Sequence, residues 1–258
     1  MKQTNIENNW RFYRMALIGK KRRQKEIQRY NHRKWVLNRR FLRFLLKVIG
    51  YTFLVRLDRV DGLENIPKDG PVIFMINHIA FIDSITVLYI SPRDIVPLAK
   101  NEVYEYPIVG IFPRLWGVIP VKRDEIDRGA IRRALQVLKA RECLLIAPEG
   151  TRGEALRRGR DGAAYLASRT GAAIVPVAIE GTVGFPAFRT SERWKQPGAH
   201  IRYEKPFRFK PEYKNAKGAV LRKMTDEAMY VLAKALPEHR RGEYANLSER
   251  TQDTIEWL

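Results

Sequence analysis

The chain has 258 residues, 45% hydrophobic and 29% charged, with a formal charge of +20 at pH 7. That length supports a buried core, and the composition excludes a chain that is disordered throughout. The single cysteine, Cys143, excludes an internal disulfide framework or a multi-cysteine metal site and points to a reducing compartment.

The charge is uneven. Residues 1–60 hold 17 Lys and Arg against three acids, a net of +14, whereas residues 61–258 hold 31 against 25, a net of +6. Such an arm attracts polyanions, either nucleic acid or an anionic lipid surface, and charge alone does not choose between them. The opening residues Met1 to Trp10 are polar, so no secretory signal is expected before the chain. Residues 8–34 read as a helix, with Trp10, Tyr13 and Leu17 at helical spacing and a Lys20-Lys21-Arg22-Arg23 block beyond. Residues 37–57 read as a second helix, roughly 30 Å long at ~1.5 Å per residue. Its apolar members include Phe41, Leu42, Leu45, Leu46, Val48, Ile49, Phe53 and Leu54, while Arg43 and Lys47 make it a poor bilayer span. Two readings stay open for it: an interfacial helix in the headgroup region, or an amphipathic helix docked on the protein's own core.

From residue 60 short apolar runs recur: Val72–Ile76, Ile95–Ala99, Gly117–Val121, Cys143–Ala147 and Ile174–Ile179. Several are continuous, as strands buried on both faces should be. Helical patterns lie between them, notably Asp83–Tyr89 and Asp127–Ala140. The alternation predicts an α/β domain over 58–258, a largely parallel central sheet flanked by helices. Residues 1–57 are expected to be a separate, basic, amphipathic two-helix segment that binds membrane. His200–Phe207 reads as a late strand and Tyr213–Leu236 as a closing helix.

Chemistry-bearing residues fall just beyond the predicted strands, where open α/β sheets collect functional groups. After Val72–Ile76 comes Asn77-His78-Ile79-Ala80-Phe81-Ile82-Asp83. On a continuous helix His78 and Asp83 would point about 140° apart. They meet only if the segment is a turn entering a helix, with Asp83 in its first turn. Asp83 could then hold one imidazole nitrogen and leave the other as a general base. The bland alternative is a turn histidine beside a helix-capping aspartate. After Cys143–Ala147 comes Pro148-Glu149-Gly150-Thr151-Arg152-Gly153. Its glycines permit close approach to a ligand, Thr151 offers a hydroxyl, and Arg152 offers a planar fork for phosphate. A solvated surface turn is the other reading, and the one adopted for Arg157, Arg158 and Arg160. Lys100, Lys122 and Arg123 close two further runs and could converge on one anion. Cys143 reads as core, and His32, His200 and His239 are assigned no role.

Taken in order, Asn-His-x4-Asp at 77–83, Lys100, Gly-Val-Ile-Pro-Val-Lys-Arg at 117–123, Pro-Glu-Gly-Thr-Arg at 148–152 and Val-Pro-Val-Ala at 175–178 resemble the glycerophospholipid acyltransferases. The likeness is strongest to bacterial 1-acyl-glycerol-3-phosphate (lysophosphatidic acid) acyltransferases, and it covers roughly residues 58–210. Ala147 stands where that family usually has Phe, and Gly153 where Ser often follows Thr-Arg. The resemblance implies acyl transfer from an acyl thioester, acyl-CoA or acyl-carrier protein, to the free hydroxyl of lysophosphatidic acid, giving phosphatidic acid. It implies His78 and Asp83 as the catalytic pair. Glu149, Gly150, Thr151 and Arg152 would line the acceptor site, with Lys100 and Arg123 helping to hold its phosphate. The substrate alcohol is then the nucleophile, so neither Ser84 nor Cys143 is needed as one. No metal or cofactor is expected. Glycerol-3-phosphate, a lyso-ornithine lipid or a glycolipid are the alternative acceptors. The expected partners are membrane phospholipids and the two substrates, on the cytoplasmic face of the cell membrane. The rival class is a nucleic-acid-binding protein with a basic arm. Against it, the arm has few aromatics and no recognised nucleic-acid motif, so no nucleic acid is expected.

Overall fold

A computed structural model describes residues 31–49, 53–107, 110–122 and 126–258. The helix expected over 8–34, including the Lys20–Arg23 block, lies outside them apart from a 3-10 turn at His32–Trp35. The strands among the described residues are β1 (Leu57–Asp61), β2 (Val72–Ile76), β3 (Ile95–Lys100), β4 (Ile119–Val121), β5 (Cys143–Ile146), β6 (Ala173–Glu180), β7 (Ala199–Tyr203), β8 (Phe207–Phe209) and β9 (Ile255–Trp257). The helices are α1 (Val36–Ile49), α2 (Asp83–Ile90), α3 (Ile111–Trp116), α4 (Arg128–Lys139), α5 (Gly162–Thr170), α6 (Glu192–Lys195) and α7 (Gly218–Lys234).

These strands form one sheet in the order β1-β7-β6-β2-β5-β3-β4, with β8 paired to β6 and β9 to β8. From β6 to β4 every pairing is parallel. The carboxyl ends of β6, β2, β5, β3 and β4 therefore share one edge. β7 runs antiparallel to β6, and β1 lies parallel to β7. Across that last pair His200, which the sequence left without a partner, meets Asp61 at 2.7 Å.

Continuous apolar runs became central strands because both sides of the sheet are covered. Phe74, Ile76, Leu145, Val175, Val177 and Tyr203 pack on one face with Val87 and Leu88 of α2, Trp116 of α3 and Leu42 of α1. Their alternates, among them Ile73, Met75, Leu144 and Ile174, are also buried. They face the other side, where α4, α5 and α7 pack against β5, β2 and β6. Asp127 starts α4 by accepting from Ala130 N at 2.8 Å, and its second oxygen takes Lys122 N at 3.2 Å.

Three expectations need correction. The helix predicted over 37–57 does not reach its expected end: α1 is described to Ile49, Phe53 and Leu54 form a π-helical turn, and Leu57 already belongs to β1. Arg56 O accepts from Ala199 N at 2.6 Å, so sheet pairing claims a stretch whose apolar pattern suits either structure. The single strand expected at 200–207 is two strands, because Glu204 N turns to Pro176 O and Pro206 has no N–H to give. The helix expected over 213–236 runs from Gly218 to Lys234 and does not close the fold, since β9 follows and extends the sheet.

By its contacts His32–Leu258 is one compact unit. Helix α1 is docked inside that unit. Arg39 is fully buried and donates from Nε to Trp116 O at 2.8 Å, and Arg43 reaches Asp94 at 2.6 Å. The opposite side of α1 presents Leu37, Phe41, Phe44, Leu45 and Val48 as exposed apolar residues. The docked reading of this helix thus fits its buried side, while its other side is apolar and exposed. Among the described residues no helix is long and apolar enough to cross a membrane.

Candidate active site

The site grows from the end of β2. Asn77 is buried, and its amide bridges to β6 in both directions: Nδ2 donates to Ile179 O at 2.9 Å, and Oδ1 accepts from Ile179 N at 2.8 Å. This fixes the point at which the chain leaves the sheet. It then turns through residues 78–82 into α2, bringing His78 Nδ1 to 3.0 Å from Asp83 Oδ2. The same oxygen accepts the N–H groups of Ile79 and Ala80, each at 2.7 Å. The other oxygen, Oδ1, accepts from the Thr182 hydroxyl at 2.6 Å. Asp83 is fully enclosed, whereas the His78 side chain keeps 17% of its surface exposed. A carboxylate receiving such donors acts as an acceptor, so Nδ1 carries the hydrogen of the shared bond. The lone pair is left on Nε2. The turn reading of His-x4-Asp holds in this geometry, and a general base is what it can supply.

The second constellation follows β5. Glu149 is buried at 5% exposure, and its Oε2 accepts from Arg157 N at 2.9 Å. Burial pushes its carboxyl above the usual range, while the backbone N–H groups of Arg157 and His78 pull the other way. Gly150 adopts φ +69°. A side chain there would be strained, with its Cβ 3.1 Å from Arg160 Nε. Arg160 N donates to Pro148 O and Gly153 N to His78 O, each at 2.9 Å. The loop thus wraps back onto the His78 turn. Thr151 is partly exposed and Arg152 is exposed.

Of the residues singled out from the sequence, His78, Asp83 and Glu149 come together directly, with Gly150, Thr151 and Arg152 on the loop that follows Glu149. Lys100 closes β3 on the same edge, in register with Val121. It lies two strands from β2, roughly 10 Å at the usual strand spacing. Its ammonium pairs with Glu102 at 3.1 Å. Arg123 lies outside the described residues. Arg157 holds the loop through its backbone N–H on Glu149, and its charge acts on the same carboxyl. Cys143 is fully buried, and burial pushes its thiol up to about 12, which removes it as a nucleophile.

Two features escaped the sequence reading. Thr182 lies two residues past β6, and its signal was the polar Glu-Gly-Thr directly after a buried parallel strand. Arg240, remote in sequence, donates to Glu154 O at 2.6 Å and pairs with Glu180 at 3.3 Å. It thereby ties the C-terminal segment to the loop after Arg152.

Residues 56–180 match the model of the family described as Acyltransferase. A 1-acyl-sn-glycerol-3-phosphate acyltransferase of Borreliella burgdorferi is 38% identical over 130 residues, 49% of this chain and 52% of the relative. The one from Bacillus subtilis is 30% identical over 124 residues, 48% and 62%. A chloroplast enzyme of the same name from Arabidopsis thaliana is 33% identical over 130 residues, 48% and 36%. The chain thus spans between about a third and just under two thirds of the length of these relatives. Among solved structures, the 1-acyl-sn-glycerophosphate acyltransferase of Thermotoga maritima superposes with a TM-score of 0.54 at 23% identity, over 88% of this chain and 93% of that one. The two share a fold.

Proposed function

With residues 56–180 forming an acyltransferase-family domain, we propose that the chain moves a fatty acyl group from an acyl thioester to the free hydroxyl of 1-acyl-glycerol-3-phosphate, giving phosphatidic acid. The observation that carries this reading is the His78 ring held through Nδ1 by an enclosed Asp83, with Nε2 left for a hydroxyl proton.

The step balances without a protein nucleophile. His78 Nε2 takes the proton of the acceptor hydroxyl as its oxygen attacks the thioester carbonyl. The tetrahedral intermediate collapses, the C–S bond breaks, and the departing thiolate receives the proton from the imidazolium. Asp83 keeps the ring oriented and offsets its charge while the proton is held. Gly150, Thr151 and Arg152 receive the acceptor phosphate, helped by Lys100 and Arg123. The donor is acyl-CoA or acyl-carrier protein, both anionic and attracted to a basic surface. The enzyme sits peripherally on the cytoplasmic face of the cell membrane, held by residues 1–57. The exposed apolar side of α1 faces the acyl boundary and the N-terminal cations face the headgroups.

The test is an assay of the purified full chain with labelled acyl-CoA or acyl-carrier protein against lysophosphatidic acid, glycerol-3-phosphate and neutral lysolipids. Phosphatidic acid should form with lysophosphatidic acid and be lost in His78→Ala. Preference for a phosphate-free acceptor would overturn the assignment of the Gly150–Arg152 loop.

A further inference from the structure

We propose that Thr182 is a positioning residue for the His78–Asp83 pair, its hydroxyl setting the plane of the Asp83 carboxylate and through it the tautomer of His78. Its consequence for turnover rests on the acyl-transfer reading, whereas its consequence for the imidazole does not.

The donors around Asp83 divide unequally. Oδ2 takes His78 Nδ1 and the N–H groups of Ile79 and Ala80, all from its own turn. Oδ1 is met from across the fold by Thr182 Oγ1, 99 residues away in sequence and 2.6 Å away in space. Both residues are fully buried. The torsion that turns a carboxylate about its Cβ–Cγ bond is broad, so donors on one oxygen alone orient it loosely. A donor on the second oxygen sets the plane. It also satisfies lone pairs that would otherwise be buried without a partner.

The segment carrying Thr182 is braced. Gly181 adopts φ +71°, and a Cβ there would lie 2.2 Å from Gly198 O, so no other residue fits. Arg193 holds the carbonyls on both sides of Thr182, with Nη2 on Gly181 O at 2.5 Å and Nε on Val183 O at 2.7 Å. Its guanidinium lies 4.0 Å from the centre of the Phe185 ring, and Phe185 N donates to Thr182 O at 3.1 Å. This aims one hydroxyl at one buried oxygen. Thr182 lies outside the stretch matched by the family model, which ends at residue 180.

The experiment compares Thr182→Val, which keeps the shape and loses the donor, with Thr182→Ser, which keeps the donor. In Thr182→Val, kcat should fall roughly tenfold, less than the ~10²–10⁴ that a general base supplies. Both KM values should stay within about twofold, and Thr182→Ser should recover most of the turnover. Nitrogen-15 spectra of the His78 ring, identified by the signals lost in His78→Ala, need no substrate. They should show a single Nδ1–H tautomer in the wild type and a mixture in Thr182→Val. A folded Thr182→Val with wild-type kcat, or with an unchanged ring pattern, overturns the proposal. Should Thr182→Val fail to fold, the wild type decides: a slowly exchanging Thr182 hydroxyl proton supports the bond, and its absence overturns it. If the wild type transfers no acyl group, the proposed function fails, and the ring spectra still judge Thr182.

Discussion

The backbone N–H of Gly153 donates to the carbonyl of His78 across 2.9 Å. The turn that presents the imidazole and the glycine-rich loop after β5 are therefore one backbone unit. Glu149 is buried where they meet, with backbone N–H groups of Arg157 and His78 acting on its carboxyl. Under the proposed function, a loop joined to the His78 turn in this way would hold the acceptor phosphate with its free hydroxyl toward Nε2.

Replacing the base should cost chemistry rather than binding. His78→Ala should lower kcat by at least about 10²-fold, the low end for a general base, with the acceptor KM little changed. Asp83→Asn should also lower kcat, because it removes the charge that offsets the imidazolium. Steady-state kinetics on variants with wild-type melting curves check this. Normal turnover by a folded His78→Ala would remove His78 from the mechanism.

Arg152→Ala should raise the acceptor KM far more than the donor KM. Losing a charge-assisted contact to phosphate costs about 1.5–3 kcal/mol, roughly 10- to 150-fold. Initial rates with both substrates varied decide it. A change confined to the donor KM would move Arg152 to the thioester side of the site.

Glu149 gives a pH signature. Because burial pushes its carboxyl up, the folded chain holds this proton to higher pH than the unfolded chain does. The associated stability is fully present below the ordinary glutamate range. It is lost as pH rises from there through the folded value. Glu149→Gln lacks that titration. The stability of the wild type relative to Glu149→Gln should therefore fall as pH rises from acid toward neutral. Urea unfolding of both proteins across that window is the measurement, and a difference that stays flat or rises would contradict it.

Membrane binding should follow the exposed side of α1. Removing residues 1–57 outright would also withdraw Leu42 from the core and the Arg39 donor from Trp116 O. Substituting Phe41, Phe44 and Val48 by Ser leaves that dock intact. Co-sedimentation with vesicles of anionic phospholipid should then fall sharply, and the remaining binding should weaken strongly with salt. Cations near an anionic surface contribute about 1 kcal/mol each and are screened within a Debye length. Undiminished binding by the triple variant would place the membrane surface elsewhere.

Much of the frame was legible because it is local. The apolar runs at 72–76, 95–99 and 143–147 mark strands, and the polar residues just beyond them mark the functional edge. For His78 and Asp83 the spacing set only a condition, that they could meet across a turn and not along a helix, and the structure meets it. The residues lost to the sequence reading take their meaning from strand order. Nothing near Thr182 in sequence says that β6 lies beside β2, yet that adjacency puts its hydroxyl on Asp83.

The sequence by itself determined the strand–helix alternation, the His-x4-Asp spacing just beyond β2, and the glycine-rich loop. Each is written in a few consecutive residues whose turn chemistry and apolar pattern act over short range. Only the tertiary structure decided that Arg39 is sunk beneath α3, that Lys100 stands two strands from His78, and that Thr182 completes the shell around Asp83. Those outcomes depend on which strands pair and which helix covers them. That choice is made by apolar burial summed over the whole chain, which no local pattern records.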